Sequence, residues 1–546
     1  MQLYKQFCTE EFDNDNTLKS FKLKFEDNYN FGYDVLDQMA EKAPNDIALV
    51  WTNPDGEERI FTFADLSRLS NKAANVFLKY GIKKGDRVLL MLKRNYEYWY
   101  IVTALHKLGV VAIPATNMLT AEDISYRVNV ANIKMAVCTP DSDTVENILQ
   151  AKNKENSLKT VFVARKDFDG TVNITKEIES AGAELERVET KATEPMLIYF
   201  TSGTTGYPKA VVHNHIYSLC HIISAKYWQN VKEGGLHFSI AETGWAKASY
   251  GKIYGQWLCG CAVMAFDFEK FSPSKILKVI EKFKVTSFCA PPTAYRYFVK
   301  KGMQMYDLSS LEYLTTAGEA LNPIVAEAVY QQTGLRPMEG YGQSETTLLI
   351  ANLNGTHGKT GSIGKPSPMY DIRLVDSDGN EVKQGETGEI VVIPPKDRKQ
   401  YGIFTNYIGD EQMYQYAWRK GMYHTNDTAY MDEDGYYWYV GRADDLIKTR
   451  GYRVGPFEIE NVLMKHPAVL ECAVIGVPDE SRGQAIKAII KTVDGCDADK
   501  NLVNDIKVFS NKRLASYKWI QYIEFTDEMP KTISGKIKRV ALKANA

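Results

Sequence analysis

Cysteine is scarce and scattered in this chain: there are eight in 546 residues, Cys259-Gly-Cys261 is the one close pair, and no CxxC occurs. That argues against a disulfide scaffold and against structural zinc, and it suits a reducing compartment such as the cytoplasm. An excess of either charge is also missing. With a formal net charge of −2, no bulk electrostatic attraction draws the chain to nucleic acid or to a membrane surface. No apolar run approaches the length of a bilayer span. The opening MQLYKQFCTEEFDNDN is polar and acidic, without the apolar core of a secretion signal or the Arg-rich texture of a transit peptide. What remains is the composition of a globular protein, 44% hydrophobic and 25% charged, too long for one ordinary core.

Helix-like and strand-like segments alternate along the first three hundred residues. FADLSRLSNKAANVFLKY places Leu66, Leu69, Ala73, Val76 and Phe77 at helical spacing, with Gly81 as a stop; DRVLLML then reads as a buried strand. The order recurs in YEYWYIVTALHKLG with VVAIPA, and in LEYLTTAG with EALNPIVAEAVYQQTG. The alternation predicts an α/β fold of parallel sheets covered by helices. Near residue 370 the texture becomes period-two strand with Asp-Gly turns, which predicts antiparallel hairpins in a β-barrel-like subdomain. After GRADDLIKTRGYRVGP the chain restarts as a small α+β unit, so the predicted domains are 1–443 and a mobile 444–546. From Asp444 onward there are 17 Lys and Arg against 14 Asp and Glu, a mildly basic piece in a mildly acidic chain.

YFTSGTTGYPKA, residues 199 to 210, looks like a phosphate cradle. It is not a Walker loop, because Gly203 and Gly206 are too close and Tyr-Pro separates the second glycine from Lys209. Small residues still let backbone N–H groups approach an anion, while Thr201, Ser202, Thr204 and Thr205 add hydroxyls and Lys209 a mobile charge. A solvated Gly/Ser/Thr turn is the plainer reading of the loop taken alone.

Four further stretches follow in order: TAGEAL (316–321), EGYGQSET (339–346), YHTND…YVGRADDLIKTRGYRVGP (423–456) and PKTISGKIKR (530–539). With the loop, they resemble the adenylate-forming acyl-CoA synthetase family, nearest its medium-chain branch and then acetyl-CoA synthetases. The resemblance implies two half-reactions. A carboxylic acid and ATP give acyl-adenylate and diphosphate, and CoA then displaces AMP to give the thioester. ATP and CoA are implied as co-substrates and Mg²⁺ as cofactor. The partners are small molecules, with no nucleic acid, no membrane span, and a homo-oligomer left open.

The resemblance assigns roles by position. Ser202 to Lys209 would cover the β- and γ-phosphates. Gly318, Glu319 and Ala320 would lie along the adenosine, with Tyr341 stacked on adenine among Glu339, Gly340, Gly342 and Gln343. Glu345 would hold magnesium, and Ser344, where the family usually has Thr, would direct its hydroxyl at the α-phosphate. Asp427 would accept from the ribose hydroxyls and Arg442 would assist. Asn426 stands where Gly is common, and Asn tolerates the same positive φ. Lys536 would neutralise charge between acid and α-phosphate. Asp444 matches the hinge; beyond it Gly451 and Tyr452 would line the CoA tunnel and Arg453 face the nucleotide phosphate, with Asn117 and Arg482 as further CoA contacts. In acetate-specific relatives a Trp closes the acyl pocket where this chain has Gly342. The expectation is an open pocket walled by Trp245, with Tyr250 and Tyr254 as further lining, for medium-chain, branched or aromatic acids. The alternatives are an acetyl- or propionyl-CoA synthetase, an adenylating enzyme that loads a carrier protein, a luciferase-like oxidase, and an inactive nucleotide-binding protein.

Overall fold

The computed structural model describes residues 1–201, 208–319, 321–396, 400–450, 452–479, 481–493, 495–496, 498–531 and 537–544. The helix predicted from Leu66 to Phe77 spans Phe63–Lys79. It starts at a capping box in which Thr62 and Asp65 satisfy each other's backbone N–H groups, and its buried stripe includes Leu66, Ala73, Val76 and Phe77. Gly81 follows at φ +85°, a left-handed conformation that ends the helix without a side-chain clash.

The chain divides into two compact units, Met1–Asp371 with Pro394–Arg419, and Ile372–Ile393 with Lys420–Ala546. The first holds an eight-stranded and a nine-stranded sheet. In both, the central pairings are parallel, as the helix–strand alternation predicts; antiparallel strands close both edges of the nine-stranded sheet and one edge of the eight-stranded sheet, whose other edge, Val172–Asn173, is parallel. The second unit holds a four-stranded sheet and a five-stranded sheet, the latter with helices Pro456–Leu463, Lys500–Asn511 and Arg539–Ala544 packed about it. The fold is therefore mixed α/β with a separate C-terminal domain. The hairpins beyond residue 371 fall in the unit that also holds the C-terminal residues. Among the described residues, no helix is long and apolar enough to cross a membrane.

The elements that carry the predicted site are β1 (Pro195–Thr201), β2 (Lys209–Asn214), β3 (Leu236–Ser239), α1 (Lys247–Gly251), β4 (Tyr313–Ala317), β5 (Pro337–Tyr341), β6 (Asn406–Tyr407), β7 (Tyr423–Met431) and β8 (Tyr437–Arg442).

Candidate active site

β1 and β2 form an antiparallel hairpin whose last pair is Thr201 opposite Lys209. Thr201 and Lys209 thus flank the glycine-rich stretch from paired strands; Ser202, Gly203, Thr204, Thr205 and Gly206 lie outside the described residues. Strand alternation puts Lys209, Val211 and His213 on one face of β2. β6 pairs with the outer edge of β2, setting Tyr407 opposite Val211. The Lys209 ammonium lies 5.5 Å from the centre of the Tyr407 ring, within cation–π range. The Tyr407 hydroxyl in turn donates to Glu345 Oε1 at 3.0 Å.

Beyond β5, the turn from Gly342 to Thr346 is tied down from several sides. The Gln343 N–H donates to Thr346 Oγ1 (2.9 Å), and the Phe404 N–H donates to the Glu345 carbonyl (2.7 Å). The Tyr250 hydroxyl sits 2.7 Å from the Thr346 carbonyl and 3.2 Å from that of Gln343. His213 Nε2 donates to the Ser344 carbonyl at 2.7 Å. Burial pushes that imidazole down to about 4, so the ring is neutral and its single proton sits on the nitrogen facing the carbonyl. Ser344 and Glu345 therefore stand on a fixed backbone.

One expectation fails here. A Cβ on Gly342 would lie 2.6 Å from the Thr347 carbonyl oxygen and 2.6 Å from the Tyr250 hydroxyl. The missing side chain opens no pocket, because Tyr250 and the Thr347 backbone fill the space. Gly340 is equally constrained: a Cβ there would meet the Trp228 indole at 2.6 Å. Trp245 is partly exposed and begins the turn into α1, where its carbonyl accepts the Ala248 N–H. Tyr254 is core instead of lining, fully buried with its hydroxyl 3.0 Å from His106 Nε2 and its ring against Phe31.

β4 and β5 run in parallel, with Thr316 beside Glu339 and Ala317 beside Gly340. Gly318 follows at φ +99°, and Lys247 reaches across to donate to the Ala317 carbonyl at 2.5 Å. Tyr341, partly buried, ends β5, where its carbonyl accepts the Leu349 N–H. Glu319 is exposed, and Ala320 lies outside the described residues. Glu339 is buried, its carboxyl accepting N–H bonds from Leu321 (2.9 Å) and Gly361 (3.2 Å), so it ties the TAGEAL segment to a distant loop. Burial raises it to about 8 against the pull of those two donors, leaving it protonated near neutral pH. Asn117 sits in the turn between strand Val111–Pro114 and helix Ala121–Ala131.

In the second unit, β7 and β8 set Asp427 directly opposite Arg442. Asp427 is buried and its Oδ1 accepts the Tyr439 hydroxyl at 3.0 Å. Asn426 adopts φ +56°, the conformation glycine would have supplied, so the departure from Gly-Asp leaves the turn intact. Arg442 Nε donates to Asp444 Oδ1 at 3.1 Å. Burial lowers that guanidinium's pKa, but Asp427 and Asp444 outweigh it and the net shift is upward. Tyr452 is exposed and stacks on Tyr517, with ring centres 4.3 Å apart. The Arg482 carbonyl accepts the Arg450 N–H at 2.9 Å. Arg453 is on strand Tyr452–Val454, while Gly451 and Lys536 lie outside the described residues.

Sequence reasoning missed Tyr407 and the role of His213. The period-two spacing of Lys209 and His213 could have placed both on one face of a strand. Nothing local marks Tyr407, which is 62 residues from Glu345. Among the described residues, no group of three or more His, Cys, Asp or Glu could hold a metal ion. Magnesium held mainly by phosphate oxygens and water needs only one or two carboxylates, and Glu345, oriented by Tyr407, fits that demand.

Residues 36–401 match the model of the AMP-binding enzyme family, and residues 458–536 match that of the AMP-binding enzyme C-terminal domain. The chain is 37% identical to human acyl-coenzyme A synthetase ACSM3, mitochondrial, over 98% of its own length and 92% of that relative's. It is 38% identical to 4-hydroxybutyrate–CoA ligase 1 of Metallosphaera sedula, covering 94% and 90% of the two chains. Among solved structures, the anthranilate CoA ligase AuaEII in complex with anthranoyl-AMP superposes with a TM-score of 0.87 at 28% identity, covering 96% of this chain and 98% of that one.

Proposed function

Because the chain belongs to the AMP-binding enzyme family and is an AMP-forming acid–thiol ligase, making acyl-CoA from a carboxylic acid, ATP and CoA through an acyl-adenylate, we propose that its acid is a medium-chain, branched or aromatic monocarboxylate. The relatives named for 4-hydroxybutyrate and anthranilate support a monocarboxylic acid beyond acetate in size. The observation that carries the site assignment is the run from Lys209 through Tyr407 to Glu345, which sets the lysine and the acid of two separate motifs against one aromatic ring.

The chemical problem of the first half-reaction is to bring two anions together, so catalysis is placement of cations and N–H donors. The acid's carboxylate oxygen bonds to the α-phosphorus as the bond to the leaving diphosphate breaks. In this reading Lys209 and the Ser202–Gly206 loop hold the β- and γ-phosphates, Ser344 faces the α-phosphate, and Lys536 offsets charge between acid and phosphate. Tyr341, Gly318, Glu319 and Ala320 hold the adenosine, and Asp427 and Arg442 the ribose. Glu345 would hold Mg²⁺, which when bound supplies charge neutralisation of the phosphates. In the second half-reaction the CoA thiol attacks the acyl carbon and AMP leaves, with Asn117, Gly451, Tyr452 and Arg482 as CoA contacts and Arg453 at the phosphate. Asp444 serves as pivot, allowing Lys536 to act in the first step and Gly451 to Arg453 in the second. A cytoplasmic setting fits eight free cysteines.

The test is release of diphosphate and AMP, with and without CoA, across acetate, butyrate, 2-methylbutyrate, octanoate and benzoate. AMP turnover should require CoA, and acetate should be the poorest acid. Preference for acetate would overturn the assigned substrate class; diphosphate release without thioester would overturn the roles given to the CoA residues.

A further inference from the structure

Lys252 follows α1 immediately, is completely buried, and has no hydrogen-bond partner for its amine. The amine lies 5.9 Å from the centre of the Trp99 ring. Burial, then Arg94, pushes it down to about 7, while Asp267 and Cys289 pull the other way. It is not alone. Gln229 Nε2, His237 Nε2 and Gln256 Oε1 are likewise buried without partners, although the remaining polar atoms of the same side chains are bonded. Gln256 Nε2 donates to Gln229 Oε1 at 2.6 Å, and His237 Nδ1 lies 2.7 Å from Ser287 Oγ. A Cβ placed on Gly251, the neighbour of Lys252, would sit 3.0 Å from Gln229 Nε2 and 3.1 Å from His237 Nε2. Gln229, His237 and Gln256 thus meet where α1 ends against β3, and the charge of the adjoining Lys252 is felt at His237. A buried polar atom left unpaired is costly, and native interiors hold few of them, so a cluster points to a polar guest.

α1 connects that patch to the nucleotide motifs. Lys247 at its start donates to the Ala317 carbonyl, and Tyr250 near its end contacts the Gln343–Thr346 turn. From Lys247 to Lys252 the helical rise is about 7.5 Å, the contour of about five carbon–carbon bonds. We infer that Lys252, Gln229, His237 and Gln256 form a subsite for the distal end of the acyl chain, and that the preferred acids carry a hydroxyl there. A neutral hydroxyl suits the patch better than a second carboxylate. Asp267 and Glu242 already balance Arg94 and Lys252 in this region, and another buried anion would go unpaired. Among unpartnered atoms, Lys252 and Gln229 offer donors and Gln256 an acceptor, which matches a group that both gives and takes a hydrogen bond.

This inference rests on the acyl-CoA synthetase reading, with the acid laid along α1. The experiment compares kcat/KM for 5-hydroxypentanoate, its apolar isostere hexanoate, and the diacid glutarate. The wild-type enzyme should prefer the hydroxy acid to hexanoate by at least about tenfold, because unpaired polar groups penalise the analogue that lacks the hydroxyl. Lys252→Met should bring that ratio to about one, and Gln229→Leu should lower it independently. A wild-type preference for hexanoate, a ratio unmoved by both variants, or glutarate as the best of the three would each overturn the subsite. The wild-type panel decides even if a variant does not fold. If other acids release diphosphate and these three do not, the subsite alone falls; if no acid does, the acyl-CoA synthetase reading falls and takes the subsite with it.

Discussion

Tyr407 holds Glu345. Its hydroxyl donates to one carboxylate oxygen at 3.0 Å, and its own position comes from strand pairing with the hairpin that carries Lys209. Hydrogen bonds to charged groups are worth roughly 1.5–3 kcal/mol, so Tyr407→Phe should slow adenylation by about tenfold or more. The Mg²⁺ concentration needed for half-maximal ATP–diphosphate exchange should rise with it. Thioester formation from supplied acyl-adenylate should change little. Equal loss in both half-reactions would mean that Tyr407 supports the fold and not the carboxylate.

The space beside Gly342 is filled, and this can be probed directly. Gly342→Ala should already impair adenylation severely, because its methyl group would approach the Thr347 carbonyl and the Tyr250 hydroxyl at 2.6 Å. Combining it with Tyr250→Phe removes one of the two obstacles and should restore part of the activity, measured as non-additivity in a double-mutant cycle. Full tolerance of Gly342→Trp, with a shift toward acetate, would show instead that the pocket is open as the sequence suggested.

Glu339 gives a pH signature. Its carboxyl is raised to about 8 in the folded chain from an ordinary value of 4.5. Between those values the unfolded chain has released a proton that the folded chain keeps, so this group's contribution falls as pH rises from about 4.5 to 8. Glu339→Gln cannot titrate and should flatten that part of the stability profile. Below about pH 4.5, where the linkage vanishes, it should cost about 1 kcal/mol, because its amide nitrogen would face one of the two N–H groups that now reach separate carboxyl oxygens; toward pH 8 that deficit should reverse. Urea denaturation from about pH 4 to 9 reads both effects.

The two half-reactions should separate genetically. Lys536→Ala should cost adenylation at least about a hundredfold and spare thioester formation from supplied acyl-adenylate, the size expected for losing a preorganised charge. Gly451→Leu should do the reverse. Asp444→Pro, which fixes φ near −65°, should depress the two steps by very different factors. Single-turnover assays of each step distinguish these outcomes from a shared folding defect.

The parts of this protein legible in its sequence are those whose physics is local. The helix from Phe63 to Lys79 announces itself by apolar spacing, and its capping box lies at Thr62 and Asp65. Asn426 is legible too: a residue that tolerates positive φ stands where glycine is common, and it adopts φ +56°. Gly342 shows the limit. A sequence records that a side chain is missing but not which neighbour takes the room, and here Tyr250, 92 positions away in the chain, does so. Tyr407 was invisible for the same reason, because its role exists only once strand Asn406–Tyr407 has paired with the far edge of the hairpin at Lys209. His213 looked like a strand residue, and its proton acquires a purpose only when Ser344 is brought to it.

The chain passes between its two units three times, and that has a consequence for synthesis. The first unit lacks an edge strand until residues 406–407 have left the ribosome and paired with β2. By then the segment Gly388–Ile393, with Ile390, Val391 and Val392 destined for full burial, has already emerged, while its partner β7 at Tyr423–Met431 has not. For the time needed to make about thirty residues, at roughly 5–20 residues per second, an apolar strand waits with an open edge. Ribosome-bound chains arrested in that interval should be the most aggregation-prone of any length, and a nascent-chain chaperone would find its strongest foothold there.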